Sequence, residues 1–380
     1  MNKNAVYINA LSKFLPNAPV SDDEMEDFLG LIKGAKSRSK KLILRNNGIK
    51  QRFYAIDKNG NSTHTNAELA AEAIKGLFYK DFRKEDIELL TCGTSSPDQM
   101  VPAHSAMVQG VLQSNPIEVM TAGGTCNSGM LALKYSYMSI LTGMVKNSVC
   151  VGSEKNSSWL RAENFEEEAD YLHKLGENPY IAFEKEFLRW MLSDGAAAAL
   201  VQDKPNKDGL SLRIDWIDNI SYANELNTCM YAGAIKNLQG ELIPWRDLPQ
   251  KEQLENSVFA LQQDTKELEN AITKYGGKFL AEVCKKHSFK PADVDFFLPH
   301  MSSEFFRKKI IEDSNAQGLP IPEEKWFTNL DSVGNVGAAS AFLMLEELFN
   351  GGRFEKGNQI LVMVPESARF SYTYAFFTVV

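Results

Sequence analysis

The chain has 380 residues, with 41 Lys and Arg against 49 Asp and Glu, and so a formal net charge of −8. Hydrophobic residues make up 44% and charged residues 24%, a balance typical of soluble globular proteins that excludes disorder, collagen and coiled coil. No apolar run approaches the roughly 18 residues of a membrane span, and the N-terminus lacks a signal-peptide pattern. We therefore expect a cytoplasmic protein without a membrane span, and the acidic balance argues against nucleic acid as a partner.

The order of apolar and polar segments predicts an α/β fold. In the first part of the chain, the pattern predicts a helical region at Thr65–Phe78, a strand at Ile87–Thr91, a buried helix after Cys126 and a strand at Ser148–Val151. The second part repeats this order, with a helical region at Leu254–His287, a strand at Val294–Leu298, a buried helix after Asn335 and a strand at Gln359–Val364. Strands that alternate with helices are typical of sheets buried between helix layers.

Three sequence matches in the same order indicate two similar halves. FRKEDIELLTCGTSS from Phe82 resembles FKPADVDFFLPHMSS from Phe289, and the small-residue turns at Cys126 and Asn335 each precede an apolar helix. VKNSVCVGSE, which ends at Glu154, matches GNQILVMVPES, which contains Glu366. We therefore expect an N-terminal half at residues 1–205 and a C-terminal half at residues 206–380.

The segment Asn156–Trp190 has no clear partner in the second half. It is rich in Glu and in aromatic residues, namely Trp159, Phe165, Tyr171, Tyr180, Phe183, Phe187 and Trp190. We interpret it as an inserted cap over a cleft, and the alternative is a plain helical hairpin on the surface.

Five cysteines, an odd number without a C-x-x-C pair, argue against a disulfide framework and a structural zinc site. Most should be buried apolar side chains, but Cys126 in AGGTCNSG is a candidate nucleophile. At a predicted helix start, unpaired N–H groups and the helix dipole favour the thiolate. The alternative is a buried cysteine in a structural turn.

His300 and Asn335 are the other candidate site residues. His300 follows the apolar strand of FFLPHMSS, and ligands of α/β sheets collect at the carboxyl ends of strands. Asn335 lies in the glycine-flanked turn of SVGNVGAAS, again at a predicted helix start. Each also has a purely structural interpretation. His300 could be a buried histidine whose hydrogen bonds are satisfied, and Asn335 could simply form a turn. If a pseudo-twofold axis relates the halves, however, Cys126 and Asn335 occupy equivalent helix starts that face one midline.

Taken together, these motifs resemble the thiolase superfamily, and specifically its ketosynthase III branch of condensing enzymes. GGTCNSG resembles the nucleophile turn of that family, Pro-His300 its histidine motif, and the turn at Asn335 its Gly-Asn-x-x-Ala-x-Ser motif. The resemblance extends over nearly the whole chain. It includes NNGIKQRFYA from Asn46, TSSPDQMVPAHSAMVQ from Thr94 and SDGAAAALV from Ser193.

The resemblance implies a thiolase-like fold, with two pseudo-symmetric α/β halves in five layers, and a Cys126, His300, Asn335 triad. Cys126 would accept an acyl group from a thioester. His300 and Asn335 would stabilise the carbanion or enolate of the second substrate, and no metal or cofactor would be needed. The resemblance also implies a homodimer in which the loop Gln99–Pro102 reaches the partner's acyl pocket, so that Met100 or Val101 limits its depth.

Two departures from the family pattern bear on the substrate. The family usually has a Trp that stacks on the adenine of coenzyme A, whereas this chain has Leu42 nearest that place, which favours thioesters on acyl carrier protein. Near the C-terminus, a family glycine run that supplies an oxyanion amide is replaced by PESARFSY. Glu366 and Arg369 would form an ionisable pair beside the thioester, either for proton transfer with a loop amide as oxyanion donor, or as a structural salt bridge.

That loop, the aromatic segment and the missing Trp resemble the ketosynthases that build dialkylresorcinol and cyclohexanedione rings. These enzymes join a 3-oxoacyl thioester to a second acyl thioester. One alternative is an ordinary ketosynthase III that condenses an acyl primer with malonyl carrier protein. Others are a cysteine hydrolase and a non-catalytic partner subunit of the same fold, although such subunits usually lack the cysteine.

Overall fold

A computed structural model describes residues 5–79, 81–174, 183–237 and 239–380. The described strands are β1 Tyr7–Phe14, β2 Val20–Ser21, β3 Gln51–Arg52, β4 Leu89–Thr94, β5 Glu118–Gly123, β6 Asn147–Glu154, β7 Gly195–Gln202, β8 Leu212–Ser221, β9 Met230–Tyr231, β10 Ala234–Lys236, β11 Leu242–Pro244, β12 Gln262–Gln263, β13 Phe296–Pro299, β14 Gln359–Glu366 and β15 Ser371–Val379. The described helices are α1 Met25–Leu29, α2 Lys40–Asn47, α3 Asn66–Lys75, α4 His104–Leu112, α5 Ser128–Leu141, α6 Glu166–Lys174, α7 Phe183–Arg189, α8 Gln250–Glu255, α9 Thr265–His287, α10 Phe305–Ala316, α11 Leu330–Val333 and α12 Ser340–Asn350.

The two halves have the same strand order. The first half runs β5-β4-β6-β7-β1, in which β4 is parallel to β5 and β6 and the other pairs are antiparallel. The second runs β13-β14-β15-β8, and a single parallel bridge from Phe297 to Trp326 stands where the first half has β5. The halves join where Tyr7 and Ile8 of β1 pair with Arg213 and Leu212 of β8. This symmetry supports the division at residue 205, which we retain as a proposal.

Helices form three layers around these sheets. Helices α3 and α4 pack on the outer face of the first half, and α9 packs on the second half beside α10. Helices α5 and α12 lie between the sheets in an apolar core. Both central helices are rich in buried apolar residues because a sheet covers them on each side. The predicted five-layered α/β architecture is therefore confirmed.

The starts of the two central helices meet at backbone distance. A Cβ added at Gly129 of α5 would lie 2.1 Å from the carbonyl oxygen of Ala338, and one at Gly152 of β6 would lie 2.3 Å from the same oxygen. On the other side of α5, a Cβ at Gly93 would lie 2.4 Å from the nitrogen of Gly129. Only glycine permits this contact, which sets the separation between the turn before α5 and the turn before α12.

Several predicted boundaries change in the structure. The predicted helical region Leu254–His287 is wrong as one element, because α8 ends at Glu255 and α9 begins only at Thr265, where Asp264 caps it by accepting from the Glu267 amide. Strands β4 and β13 begin two residues later than predicted, and β6 and β14 extend beyond the predicted ends to Glu154 and Glu366.

The aromatic segment Asn156–Trp190 packs largely into the molecule. It contains α6 and α7, and the buried Lys185 donates to both carboxylate oxygens of Glu168 at 2.7 Å and to the carbonyl of Asn256 near α8. Phe165 and Trp190 are core residues, whereas Tyr180 lies outside the described residues. In the described part of the chain, no helix combines the length and apolar character needed to cross a membrane.

Replacement of Gly129 by Ala tests the glycine contact. The added methyl group would overlap the Ala338 carbonyl, and the free energy of unfolding should fall by about 1–3 kcal/mol. Gly110→Ala is the matched control, because Gly110 is an exposed helical glycine with open space around it and should gain roughly 0.5–1 kcal/mol. Denaturant unfolding of both variants measures the difference, and equal stabilities would contradict the proposed close contact.

Candidate active site

Cys126 lies in the tight turn between β5 and α5, two residues before the helix begins. The amide of Ser128 donates to the carbonyl of Thr125 at 3.0 Å and closes the turn around the cysteine. Asn127 ties this turn to the second half by donating from its side-chain amide to the Ser371 hydroxyl at 3.1 Å. Cys126 is partly buried, and the other four cysteines are buried as predicted.

The resting state of Cys126 differs from the sequence expectation. Burial raises the pKa of the Cys126 thiol above its ordinary value, and the carboxylates of Glu154 and Glu366 raise it further. The helix start was expected to favour the thiolate, but desolvation and two nearby carboxylates dominate over the dipole. The resting nucleophile is therefore a neutral thiol.

His300 follows β13 directly and is buried. Its amide donates to the carbonyl of Met363 in β14 at 2.8 Å, which continues the parallel ladder by one residue. Desolvation lowers the pKa of His300 to about 4, so its ring is neutral at physiological pH. A neutral imidazole has one N–H donor and one acceptor nitrogen, so it can donate a hydrogen bond to a thioester oxygen.

Asn335 is buried in the turn between α11 and α12. Its backbone bridges to the first half, because its carbonyl accepts from the Ser193 amide at 2.9 Å. Its side-chain Oδ1 accepts from the Gly337 amide at 3.0 Å. This bond fixes the orientation of the side-chain amide and leaves Nδ2 as its donor end.

Glu366 and Arg369 do not form the expected pair. Glu366 is buried at the end of β14, where Oε1 accepts from the amide and the hydroxyl of Thr125 at 3.0 Å and Oε2 from Ser371 at 2.8 Å. Arg369 is exposed in the four-residue turn between β14 and β15, and the described ion pairs include none between it and Glu366. The expectation is wrong because the hairpin turn points outward, whereas the strand end faces the nucleophile turn.

Glu154 is a buried carboxylate that the sequence reasoning did not select. It ends β6 and accepts hydrogen bonds from the Ser95 and Ser96 hydroxyls at 2.8 and 2.6 Å, and from the Ala338 amide at 3.2 Å. Burial raises the pKa of Glu154 to about 7 in spite of these donors. The signal was present in the sequence, because Glu154 matches Glu366 in the repeat.

Two cavities adjoin the nucleophile turn. Cys126 and His300 line a narrow one of about 30 Å³, together with Met363 and apolar residues of α9 and α10, and a gap of about 10 Å³ joins His300 to Gly334 beside Asn335. The second cavity is about 770 Å³, within the range of small-molecule sites. Its lining includes Gly124, Thr125, Glu366, Met100, Trp159, Tyr231, Trp245 and Phe259.

The remaining predicted pocket residue, Val101, does not line either of these cavities within the described chain. It is 82% exposed, and its neighbour Met100 is 61% exposed although it borders the large cavity. Whether these residues enter a partner's pocket stays a prediction.

Cys126 and a neutral His300 line one cavity, an arrangement that suits acyl transfer. A family model for the C-terminal part of 3-oxoacyl-[acyl-carrier-protein] synthase III matches residues 284–365. A curated relative, beta-ketoacyl-[acyl-carrier-protein] synthase III of Clostridium perfringens, is 25% identical over 95% of each chain.

Solved structures of similar proteins show the same fold. The tetronic acid condensing enzyme AbyA1 superposes with a TM-score of 0.76 at 17% identity and covers 98% of this chain and 99% of its own. 3-Oxoacyl-[acyl-carrier-protein] synthase III of Aquifex aeolicus gives a TM-score of 0.70 at 20% identity, with the same coverage. The thiolase-like fold is thus confirmed, and the similarity to named beta-ketoacyl synthases supports an acyltransferase of the condensing type.

Alkylation of Cys126 by iodoacetamide tests its ionisation. Because the thiol pKa is raised, the alkylation rate should be low at pH 8 and still rise beyond pH 9, where an ordinary cysteine of pKa about 8.5 would approach its plateau. Glu366→Gln removes one of the charges that raise this pKa and should accelerate alkylation at fixed pH. Cys126→Ser gives the background from the other cysteines, and a plateau near pH 8.5 in the unmodified protein would contradict the buried neutral thiol.

Proposed function

We propose that the protein is a ketosynthase that forms carbon–carbon bonds between acyl thioesters through an acyl-Cys126 intermediate. The observation that carries this proposal is the shared cavity of Cys126 and a neutral His300. The order of the motifs along the chain and the similarity to beta-ketoacyl synthases support it.

In the first half-reaction, Sγ of Cys126 bonds to the thioester carbonyl carbon, the donor's carbon–sulfur bond breaks, and the departing thiol takes the proton. In the second, the α-carbon of the other substrate loses a proton to a base, for which Glu366 is the candidate, and the resulting carbanion attacks the acyl carbonyl. The bond between that carbonyl and the cysteine sulfur breaks, and the sulfur regains a proton. His300 and Nδ2 of Asn335 donate to the enolate oxygen of that second substrate. The pKa of His300 is lowered to about 4 and the Asn335 amide does not titrate, so neither takes the proton of Cys126 at pH 7.

Acyl carrier protein is the proposed carrier of the substrates. Helix α2 exposes Lys41 and Arg45, and its last residue accepts from the Glu304 amide, four residues beyond His300. A basic surface therefore lies next to the narrow cavity, where an acidic partner would dock. Leu42 of this helix is 49% exposed and offers no indole ring for an adenine, which weakens the case for free coenzyme A.

We further propose that the enzyme joins a 3-oxoacyl and a second acyl thioester to give a cyclohexanedione or dialkylresorcinol precursor. The large aromatic-lined cavity favours this reaction, because its volume of about 770 Å³ offers room for acyl chains that the narrow cavity of about 30 Å³ does not. Glu366 borders that cavity and accepts hydrogen bonds from Thr125, the residue before Cys126, and it is the proposed proton-transfer group for condensation or ring closure. Mass spectrometry of products from paired acyl and 3-oxoacyl carrier proteins tests the reaction, whereas a 3-oxoacyl product from malonyl carrier protein would favour an ordinary ketosynthase III.

The half-reactions separate the roles of the triad. Cys126→Ala should not gain the mass of one acyl group after brief exposure to an acyl donor, whereas His300→Ala and Asn335→Ala should gain it. Both of these variants should condense on the order of 100-fold more slowly, because each lacks one stabiliser of the attacking enolate. Intact-protein mass and product formation measure the two steps. An acylated Cys126→Ala protein, or free acid as the sole product, would contradict the proposal.

Glu366→Gln tests proton transfer at the large cavity. Gln keeps the size of the side chain and one oxygen for the Thr125 donors, but it cannot exchange a proton. Acylation of Cys126 should persist while ring formation falls or the product becomes an open-chain species. Arg369→Gln, at the exposed turn, is the control and should leave the product profile unchanged. An unchanged profile in Glu366→Gln would leave that residue with a structural role alone.

We also propose a homodimer. β5 is an edge strand with partly exposed residues, and the exposed Met100 and Val101 lie in the neighbouring loop. Such an unpaired edge with apolar neighbours favours association. Light scattering at micromolar concentration should give about twice the chain mass of 42.5 kDa, and a monomer would contradict the proposal.

A further inference from the structure

Two glutamates connect the halves in a reciprocal manner. Glu154 ends β6 in the first half, and its carboxylate accepts from the Ala338 amide at the start of the second central helix. Glu366 ends the matching strand β14, and its carboxylate accepts from the Thr125 amide at the start of the first central helix. Each half thus holds the helix-start turn of the other.

Glu154 differs from Glu366 in its surroundings. It is completely buried, and it lines neither of the two cavities beside Cys126 in the described structure. Its carboxylate faces donors almost entirely, with the Ser95 amide at 3.1 and 3.2 Å from its two oxygens and the serine hydroxyls beside Oε2. It lines neither cavity, so it acts on the site through the groups that it holds and, at Cys126, through its charge.

The held turn contains Asn335. Ala338 donates to Glu154, and Gly337 donates to Asn335 Oδ1, so the carboxylate and the triad amide are joined through two consecutive residues. A Cβ at Gly337 would lie 2.8 Å from Glu154 Oε1, which shows how closely the turn lies on the carboxylate. A displacement of the Glu154 carboxylate would therefore displace the Gly337 amide that holds the Asn335 side chain.

We propose that Glu154 is the positioning residue that holds Asn335 in its catalytic orientation across the boundary between the halves. This inference rests on the proposed condensation, in which Asn335 serves the second half-reaction. The ionised carboxylate only accepts hydrogen bonds and so matches the donors around it, whereas Gln would place an NH₂ group against these donors. A displacement of about 1 Å at a reacting centre can cost on the order of 100-fold in rate.

A double-mutant cycle tests the proposal with the variants Glu154→Gln, Asn335→Ala and their combination. Glu154→Gln should acylate Cys126 no more slowly than the unmodified protein, because one charge that raises the thiol pKa is gone, and it should condense at least about tenfold more slowly. In the Asn335→Ala background, Glu154→Gln should cause no further loss, because the residue through which it acts is gone. Equal losses in acylation and condensation, or losses that multiply in the double variant, would overturn the proposal.

Glu346→Gln is the matched control, since Glu346 is a buried glutamate of α12 that bonds Lys13 and Asn350 away from the site. Hydrogen exchange provides a readout that does not depend on condensation. The amides of Gly337 and Ala338 should exchange at least tenfold faster in Glu154→Gln than in the unmodified protein, and their exchange rates should not change in Glu346→Gln. Exchange rates that stay unchanged in both variants would overturn the positioning role. If Glu154→Gln does not fold, Glu154→Asp, which keeps the charge but shortens the reach, undergoes the same measurements.

A protein that condenses no pair of thioesters would refute the proposed function, while the exchange data would still decide whether Glu154 holds the turn. A protein that condenses normally with Glu154→Gln would refute the positioning role and leave the proposed function intact.

Discussion

The contact of Ala338 with Gly129 and Gly152 is the constraint on which the site depends. The carbonyl of Ala338, before helix α12, occupies the space that side chains at positions 129 and 152 of the first half would fill. This contact brings two helix starts to the midline, and Cys126 and Asn335 lie in the turns that lead into them. The apolar core between the sheets surrounds both central helices, so the burial of the site and the stability of the fold arise from the same packing.

Burial at this midline determines the protonation of the site. Desolvation raises the pKa of Cys126 and lowers that of His300, so both groups are neutral near pH 7. The carboxylates of Glu154 and Glu366 add to the effect on the thiol. A neutral thiol is a weak nucleophile until its proton leaves. It therefore suits an enzyme in which the proton of Cys126 leaves only when a bound thioester is ready to react.

The reciprocal glutamates show how duplicated halves acquire different tasks. Both end equivalent strands, and both accept from the backbone at a helix start of the other half. Glu366 borders the large cavity, whereas Glu154 is sealed among serines and the Asn335 turn. The proposed roles, proton transfer for Glu366 and positioning for Glu154, differ because different groups cover the two strand ends.

The sequence by itself determined the α/β class, the paired halves and the positions of Cys126, His300 and Asn335, because local patterns of apolar residues and glycines specify elements and turns. It did not determine where α8 ends and α9 begins, since residues 256–264 take their structure from contacts with distant segments, such as Asp264 with Cys229. The tertiary structure alone decided that Arg369 faces solvent, that the Cys126 thiol is neutral and that Glu154 reaches Ala338. These properties depend on desolvation and on hydrogen bonds between residues far apart in the chain, which no local pattern encodes.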